Sequence, residues 1–167
     1  MNTRILVPAD SDACYSLRLE ALQDTPRAFG MTLDEQIALG PNWYNEQLSA
    51  DPANAVIAGT FIDNGLAAVA AFFRQTGEKR RHKALIWGVY VSPIHRRQGL
   101  ARRTLACILE HLRADGNIRI VQLQVDTENT GARALYLSLG FKSYGLEREA
   151  MRVDGQIVDE ELMSIEI

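Results

Sequence analysis

The residues best suited to chemistry in this sequence stand where an apolar run meets a helical pattern. Residues 89–91 read as the end of a strand, and the segment SPIHRRQGLA, residues 92–101, follows as a turn with a basic cluster and one glycine. A helix that begins in such a turn presents unpaired backbone N–H groups, and its dipole adds about half a positive charge there. Arg96 and Arg97 add full charges beside it. The segment therefore predicts a site for a diphosphate or similar anion; a plain helix start is the alternative.

The glycine of this segment, Gly99, belongs to neither of two common nucleotide-binding motifs. No Gly-Lys-Ser/Thr is present, as a P-loop requires, and the Gly-x-Gly-x-x-Gly fingerprint of dinucleotide-binding proteins is absent. We expect Gly99 to let a ligand approach the backbone closely, with the small Ala101 leaving room for it.

A second group of residues follows the strand after that helix and reads NTGARALYLSLGF, from Asn129 to Phe141. The earlier segment, Arg-x-x-Gly-x-Ala at residues 96–101, resembles the pyrophosphate-binding motif Gln/Arg-x-x-Gly-x-Gly/Ala of the GCN5-related N-acetyltransferase (GNAT) family. The second group is similar to the next motif of the same family. Both occur in the family's order and at its separation, and the order of predicted elements agrees along nearly the whole chain.

The resemblance implies that the chain binds acetyl-CoA as a co-substrate. Residues 89–91 would offer backbone groups to the pantetheine arm where the family splays two strands, and the Val89 N–H would hold the thioester oxyanion. Residues 97–101, with Arg102, would wrap the pyrophosphate, while Asn129 would bond to the arm. The cofactor-binding residues expected in this way are Val89, Tyr90, Val91, Arg96, Arg97, Gln98, Gly99, Leu100, Ala101, Arg102, Asn129, Ala132 and Tyr136.

Tyr136 is the candidate general acid, since the resemblance places it near the sulfur. An alkyl ammonium has a pKa of about 10.4 and must lose a proton before attack, whereas a leaving thiolate with a thiol pKa of about 8.5 benefits from gaining one. A buried phenol can supply that proton. Because Tyr136 shares an apolar helix face with Ala132 and Leu139, a plain core role is the alternative.

The general base is where this sequence departs from the family. The positions at which members often carry a glutamate match Leu85 and Gln124, and neither side chain takes up a proton. The amine would then lose its proton through ordered water, arrive partly neutral, or meet a carboxylate from elsewhere. Glu35, in the irregular segment that members fold over the acceptor site, is the candidate catalytic base. Asp126 and Glu128 are further candidates; for each of the three, a solvated surface acid is the alternative.

The patterns predict a single α/β domain over residues 1–167. We expect the order β-α-α-β-β-β-α-β-α-β-β, giving a mixed, mostly antiparallel sheet of about seven strands flanked by about four helices. The Asp-Asn-Gly at residues 63–65 predicts a hairpin turn. The predicted strands are residues 5–7, 56–62, 66–73, 84–91, 118–125, 141–151 and 156–165.

Composition excludes several classes of protein. The chain has 167 residues, 47% of them hydrophobic and 23% charged, which is typical of a globular domain. A net charge of -3 disfavours nucleic-acid binding through the bases near residues 80–83 and 96–103. Cys14 and Cys107 read as small buried hydrophobes, and no His, Cys and Asp spacing suits a metal. We expect neither a membrane span nor a signal peptide, and we therefore expect a cytoplasmic protein.

These expectations combine into an acetyl-CoA-dependent N-acetyltransferase acting on a primary amine by direct attack, with Val89 as the oxyanion contact and Tyr136 as the acid. A non-catalytic acyl-CoA-binding module of the same fold is the alternative, because the family's base positions are Leu85 and Gln124. The acceptor stays open among a small metabolite, an amino acid, an antibiotic and a protein N-terminus. Because edge strands and the final hairpin often dimerise in this family, the resemblance also suggests a homodimer. Trp43 and Tyr44 either line an acceptor pocket or anchor a short helix.

Overall fold

Seven strands form one sheet, in the order β1-β2-β3-β4-β5-β7-β6, in the computed structural model, which describes residues 1–167. Neighbouring strands are antiparallel except for β4 and β5, which run parallel. The sheet is therefore mixed and mostly antiparallel, as predicted. The strands are β1 Asn2–Ile5, β2 Ala55–Ile62, β3 Gly65–Arg74, β4 Lys83–Val91, β5 Ile120–Asp126, β6 Lys142–Val153 and β7 Gln156–Glu166.

Five α-helices accompany the sheet, together with short 3-10 turns at Pro8–Asp10, Pro26–Ala28 and Pro93–His95. Local signals fix the longest helix, since Gly99 precedes it and Gly116 follows it, both with left-handed backbone. The helices are α1 Ser11–Asp24, α2 Leu33–Leu39, α3 Asn42–Leu48, α4 Leu100–Asp115 and α5 Thr130–Ser138. None of them combines the length and the apolar character needed to cross a bilayer.

The strands alternate their side chains between two layers of helices. Along β3, Ala70 and Phe72 join the main core with Leu105 and Ile108 of α4, whereas Ala71 between them packs in a second cluster with Tyr44. The α4 helix therefore covers one face of β2 and β3, and α1 and α3 cover the other. This arrangement leaves the ends of β4 and β5 between the two layers.

The predicted fold class is confirmed, and two of its details differ in the structure. The region between β1 and β2 folds as three α-helices instead of two, so the structure has five helices rather than about four. The first strand ends at Ile5 instead of spanning residues 5–7, because the Val7 N–H donates to the Asp10 carboxylate at 2.8 Å and turns the chain into Pro8–Asp10. The hairpin turn is confirmed: Asp63 and Asn64 both adopt positive φ, 46° and 68°.

Candidate active site

The cleft of the molecule begins where β4 and β5 stop pairing. Only three residue pairs join the two strands, and the pair Leu85–Gln122 is the last of them. Beyond it, β4 stays paired with β3 as far as Val91, and β5 stays paired with β7 as far as Asp126. The two strand ends therefore separate and open a cleft of about 780 Å³, which α1, α4 and α5 also line.

A bulge bends β4 inside this cleft. Ala71 pairs with Trp87 but Val69 pairs with Tyr90, so β4 carries one residue more than β3 between these pairs. Gly88 sits in the bulge with φ 64° and lines the cleft together with Val89. A bulge of this kind re-aims the backbone, and here it does so at the predicted oxyanion contact.

The start of α4 has the backbone geometry expected of an anion site. Arg97 and Gly99 both adopt left-handed backbone, with φ 64° and 77°, and both line the cleft. Successive N–H groups in such a turn converge on an anion at a helix start. A Cβ atom placed on Gly99 would meet no protein atom within 4 Å, so this position faces open space.

Arg96 also lines the cleft, but its charge is already paired. Its guanidinium forms an ion pair with Asp24 of α1, and its Nε donates to the Val91 carbonyl oxygen at 3.1 Å. It lies 5.6 Å from the centre of the Tyr90 ring. Arg96 therefore ties the anion-binding turn to α1, and Arg97 is the arginine of the two that has no carboxylate partner.

Two of the predicted cofactor-binding side chains lie outside the cleft lining. Gln98 is exposed, and Arg102 donates to the Ser138 Oγ at 2.5 Å, which joins α4 to α5. Leu100 and Ala101 line the cleft, although the Leu100 side chain itself is buried against Ala67 and Ala68.

Asn129 caps the helix that closes the other side of the cleft. Its Oδ1 accepts a hydrogen bond from the Ala132 N–H at 3.1 Å, which satisfies the start of α5. The Nδ2 group keeps its donors free of protein partners. Asn129 and Ala132 both line the cleft.

Tyr136 belongs to the core and to the cleft at once. Only 6% of the residue is exposed, and its ring packs edge-to-face on Phe141 with 6.0 Å between centroids. Burial alone raises the pKa of the phenol, since no charged group or hydrogen bond acts on it. The phenol thus stays protonated at neutral pH, and Tyr136 is one of the residues that line the cleft.

The residues at the family's base positions line the cleft without supplying a carboxylate. Leu85 closes its apolar floor, and the Gln124 Nε2 donates to the Glu147 Oε2 at 3.2 Å. Asp126 is buried, and its carboxylate forms an ion pair with the Arg27 Nε at 3.0 Å. Glu128 lies outside the cleft and pairs with the Arg27 Nη2 at 2.9 Å. One arginine therefore binds both of these carboxylates.

The structure does not bring Glu35 to the cleft. Its carboxylate accepts hydrogen bonds from the Thr32 N–H at 2.7 Å and the Thr32 hydroxyl at 2.9 Å, which lower the pKa of Glu35. Thr32 and Glu35 form a capping box at the start of α2. The spacing Thr-x-x-Glu is the usual signature of that motif and is the signal that sequence reasoning missed.

Glu160 of β7 is the cleft residue that the sequence did not reveal. Asp126 and Glu160 are the only carboxylates in the lining, and Glu160 has no cation within 4.0 Å. Burial raises the pKa of Glu160, and the neighbouring charges of Glu147 and Asp126 raise it further. Such a carboxylate can accept a proton from an ammonium group more readily than an ordinary one.

Trp43 and Tyr44 do not line the large cleft. Trp43 packs on Tyr44 at 4.9 Å and on Trp87 at 6.1 Å between ring centroids, so it anchors α3 to the sheet. Tyr44 instead lines a small cavity next to the cleft. No three His, Cys, Asp or Glu side chains are grouped so that they could hold a metal ion.

The chain is similar to known proteins in both sequence and fold. Residues 15–141 match the model of the acetyltransferase (GNAT) family. The N-alpha-acetyltransferase RimI of Mycobacterium tuberculosis is 40% identical over 65 residues, 39% of each chain. The ribosomal protein bS18-alanine N-acetyltransferase of Escherichia coli K12 is 27% identical over 125 residues, 75% of this chain and 79% of that protein. The structure of yncA from Salmonella typhimurium with its cofactor acetyl-CoA superposes with a TM-score of 0.81 at 20% identity, covering 99% of this chain and 93% of that one.

Proposed function

The chain belongs to the acetyltransferase (GNAT) family, and on that basis we propose that it moves the acetyl group of acetyl-CoA to a primary amine by direct attack on the thioester. One observation carries the proposal. A single cleft joins an anion-binding helix start, an unpaired strand edge, a protonated phenol and an unpaired carboxylate. These are the groups that the transfer needs, and they stand in one continuous space.

The donor side of the cleft fits acetyl-CoA. The N–H groups at the start of α4 and the side chain of Arg97 bind the pyrophosphate, while residues 89–91 and the Asn129 Nδ2 hold the pantetheine arm. A structure with the same fold, yncA of Salmonella typhimurium, is described with acetyl-CoA as its cofactor. Acetyl-CoA supplies the activated acyl group when it is bound.

Val89, Glu160 and Tyr136 perform the chemistry in this proposal. The Val89 N–H stabilises the negative charge that develops on the thioester oxygen. Glu160 takes one proton of the ammonium, and the neutral amine nitrogen bonds to the acyl carbon. The carbon–sulfur bond then breaks as the nitrogen releases its second proton to solvent, which leaves a neutral amide. Tyr136 gives its proton to the leaving sulfur and regains one by way of Glu160 and solvent. No cysteine lines the cleft, which supports direct transfer without an acetylated enzyme.

The acceptor that we propose is the amine of a peptide or protein N-terminus, with a small-molecule amine as the second class. The relatives named above support it, since one is called an N-alpha-acetyltransferase and another acts on an alanine of a ribosomal protein. The acidic groups around Glu160 favour a cationic amine. The homodimer, the cytoplasmic location and the extent of the acetyltransferase domain over residues 1–167 stay predictions.

A non-catalytic acyl-CoA-binding module is the second candidate, because Leu85 and Gln124 replace the family's usual base. Release of free CoA thiol from acetyl-CoA, measured with and without a panel of amines and N-terminal peptides, separates the two. An N-acetyltransferase releases thiol in proportion to the amine supplied and yields an acetylated acceptor of the expected mass. Acetyl-CoA binding with no amine-dependent thiol release would leave the binding module as the function.

A further inference from the structure

Arg18 of α1 stands where the large cleft meets a small cavity of about 20 Å³. The two spaces share Arg18, Trp87, Gly88 and Tyr90, so Arg18 lines the cleft together with the bulge of β4. Val89 is at one end of the segment 89–99, and the start of α4, the proposed anion site, is at the other end. With the pyrophosphate at the start of α4 and the thioester at Val89, as proposed above, Arg18 borders the acetyl end of the cleft.

The guanidinium of Arg18 has no carboxylate within 4.0 Å. It lies 4.4 Å above the Phe29 ring, and its one side-chain hydrogen bond runs from Nε to the Gln36 Oε1 at 3.4 Å. Every other arginine of the chain is exposed or ion-paired. A partly buried cation without a counter-ion destabilises a fold, and burial does lower the pKa of Arg18.

Gln36, beside Arg18, also has a hydrogen-bond donor without an acceptor. The residue is 1% exposed, its Oε1 faces Arg18, and its Nε2 is buried with no hydrogen-bond partner. Buried polar groups in folded proteins are almost always hydrogen-bonded. Gln36 lines neither of the two cavities, so it holds the Arg18 side chain through Oε1, and the guanidinium is the group that an acceptor from outside can reach.

The acidic side chains nearby are already engaged. Glu20 and Asp24 of the same helix both accept from the Tyr90 hydroxyl at 3.2 Å, and Asp24 also binds Arg96. Asp10, before α1, is paired with Arg4. The missing counter-ion of Arg18 is therefore not one of these groups.

We propose that Arg18, supported by Gln36, binds a carboxylate of the amine acceptor. The planar fork of an arginine matches the two oxygens of a carboxylate, and an ionised acceptor strengthens each hydrogen bond. Glu160 then receives the ammonium and Arg18 the carboxylate of one molecule. This inference rests on the proposed function and narrows its substrate class to acceptors that carry both groups.

That carboxylate has two sources, the α-carboxylate of a free amino acid or the side chain of an acidic residue behind a peptide N-terminus. Two matched pairs of acetylated probes distinguish them. One pair is N-acetylglycine and N-acetylglycinamide; the other is N-acetyl-Ala-Asp-amide and N-acetyl-Ala-Asn-amide. Calorimetric titration of each probe into the full chain loaded with CoA measures the preference for a carboxylate directly, without any turnover.

We expect the carboxylate member of one pair to bind at least about tenfold more tightly than its neutral partner, because a hydrogen bond to a charged group contributes about that much to affinity. Arg18→Met, which keeps the side-chain length over Phe29, reduces that preference to within about twofold, and Arg18→Lys keeps part of it. Arg4→Met is the matched control, because Arg4 also stacks on a ring, that of Phe61 at 4.6 Å, but outside the cleft. It retains the full preference.

Equal binding of the two members of both pairs, no binding of any probe at millimolar concentration, or a preference that survives Arg18→Met would each overturn the carboxylate site. Thermal unfolding shows whether Arg18→Met is folded; if it is not, the partial loss of preference expected in Arg18→Lys provides the test, and an undiminished preference there overturns the site. The two proposals fail separately. Selective carboxylate binding without thiol release refutes the acetyltransferase alone, and thiol release without selectivity refutes the Arg18 site alone.

Discussion

Leu85 of β4 and Gln122 of β5 form the last pair of the parallel ladder, and the cleft opens directly beyond them. The separation leaves backbone of β4 facing a ligand on one side while β3 holds it on the other. The bulge at Gly88 places Val89 at this edge, between the start of α4 and Arg18. The short, three-residue pairing of β4 with β5 thus provides the space of the cleft.

Tyr136→Phe should lower kcat by about 10²- to 10⁴-fold, the usual contribution of a positioned general acid. The ring keeps its contact with Phe141, so CoA binding and the melting temperature should change little. Steady-state thiol release together with CoA titration checks both. Tyr144→Phe, at an exposed tyrosine outside the cleft, is the control; unchanged kcat in Tyr136→Phe would remove Tyr136 from the chemistry.

Glu160→Gln should remove a titration from the acidic limb of the kcat/KM profile. In the wild type the rate rises with pH as Glu160 loses its proton, and its raised pKa sets that limb above the ordinary range of a glutamate. In the variant, the pH dependence of kcat/KM should reflect only the deprotonation of the acceptor amine. Glu128→Gln, at an exposed acid outside the cleft, should keep the wild-type profile, and an unchanged limb in Glu160→Gln would reject the assignment.

The same substitution should raise the free energy of unfolding at neutral pH. A carboxyl whose pKa is higher in the folded chain binds protons more tightly there, so the wild type loses stability as the pH rises from the unfolded pKa through the folded one. The amide that replaces the Glu160 carboxyl carries no charge and avoids that loss. Urea denaturation at several pH values should show the difference vanish below the unfolded pKa; a variant less stable at neutral pH would contradict the cause we assign.

Arg27→Met should move the acidic limb to higher pH. Arg27 neutralises Asp126 at 3.0 Å, and Asp126 is one of the charges that raise the pKa of Glu160. Without the arginine, Asp126 acts on Glu160 unopposed. Arg148→Met removes a charge from an exposed pair with Asp159 and serves as control. A limb that stays in place in Arg27→Met would show that these charges are not coupled.

Gly99→Glu should abolish CoA binding while the domain stays folded, because the new carboxylate would face the pyrophosphate at the start of α4. Gly116 offers a matched control at the other end of the same helix. Both glycines have left-handed backbone and open space around a Cβ atom, so Gly116→Glu imposes similar strain without touching the cleft. Calorimetry with CoA should show binding for Gly116→Glu alone; equal binding by the two variants would place the pyrophosphate elsewhere.

The helix start and the helix cap proposed for the donor side could be recognised in the sequence, because they depend on local structure. A glycine with positive φ before an apolar helix, and an asparagine that caps the next helix, can both be recognised from neighbouring residues. The predicted strands 56–62 and 66–73 were correct within a residue at each end for the same reason, since a tight turn sets their register.

The acceptor side depends on contacts between distant residues and could not be predicted in this way. Asp159, Glu160 and Glu161 are consecutive, and which one faces the cleft depends on the pairing of β7 with β5 and on bulges in β6. That Arg18 has no carboxylate within 4.0 Å can be seen only once the positions of all neighbouring elements are known. Glu35 differs from these residues, because its role as a helix cap is local: Thr32 and Glu35 have the spacing of a capping box.

Initial-rate kinetics with both substrates varied shows whether the amine attacks the thioester within one cleft. Direct transfer predicts reciprocal plots that intersect, together with no acetylated protein in the intact mass after incubation with acetyl-CoA alone. Parallel plots with an acetyl group retained on the protein would contradict direct transfer, and so would a rate that is independent of the amine.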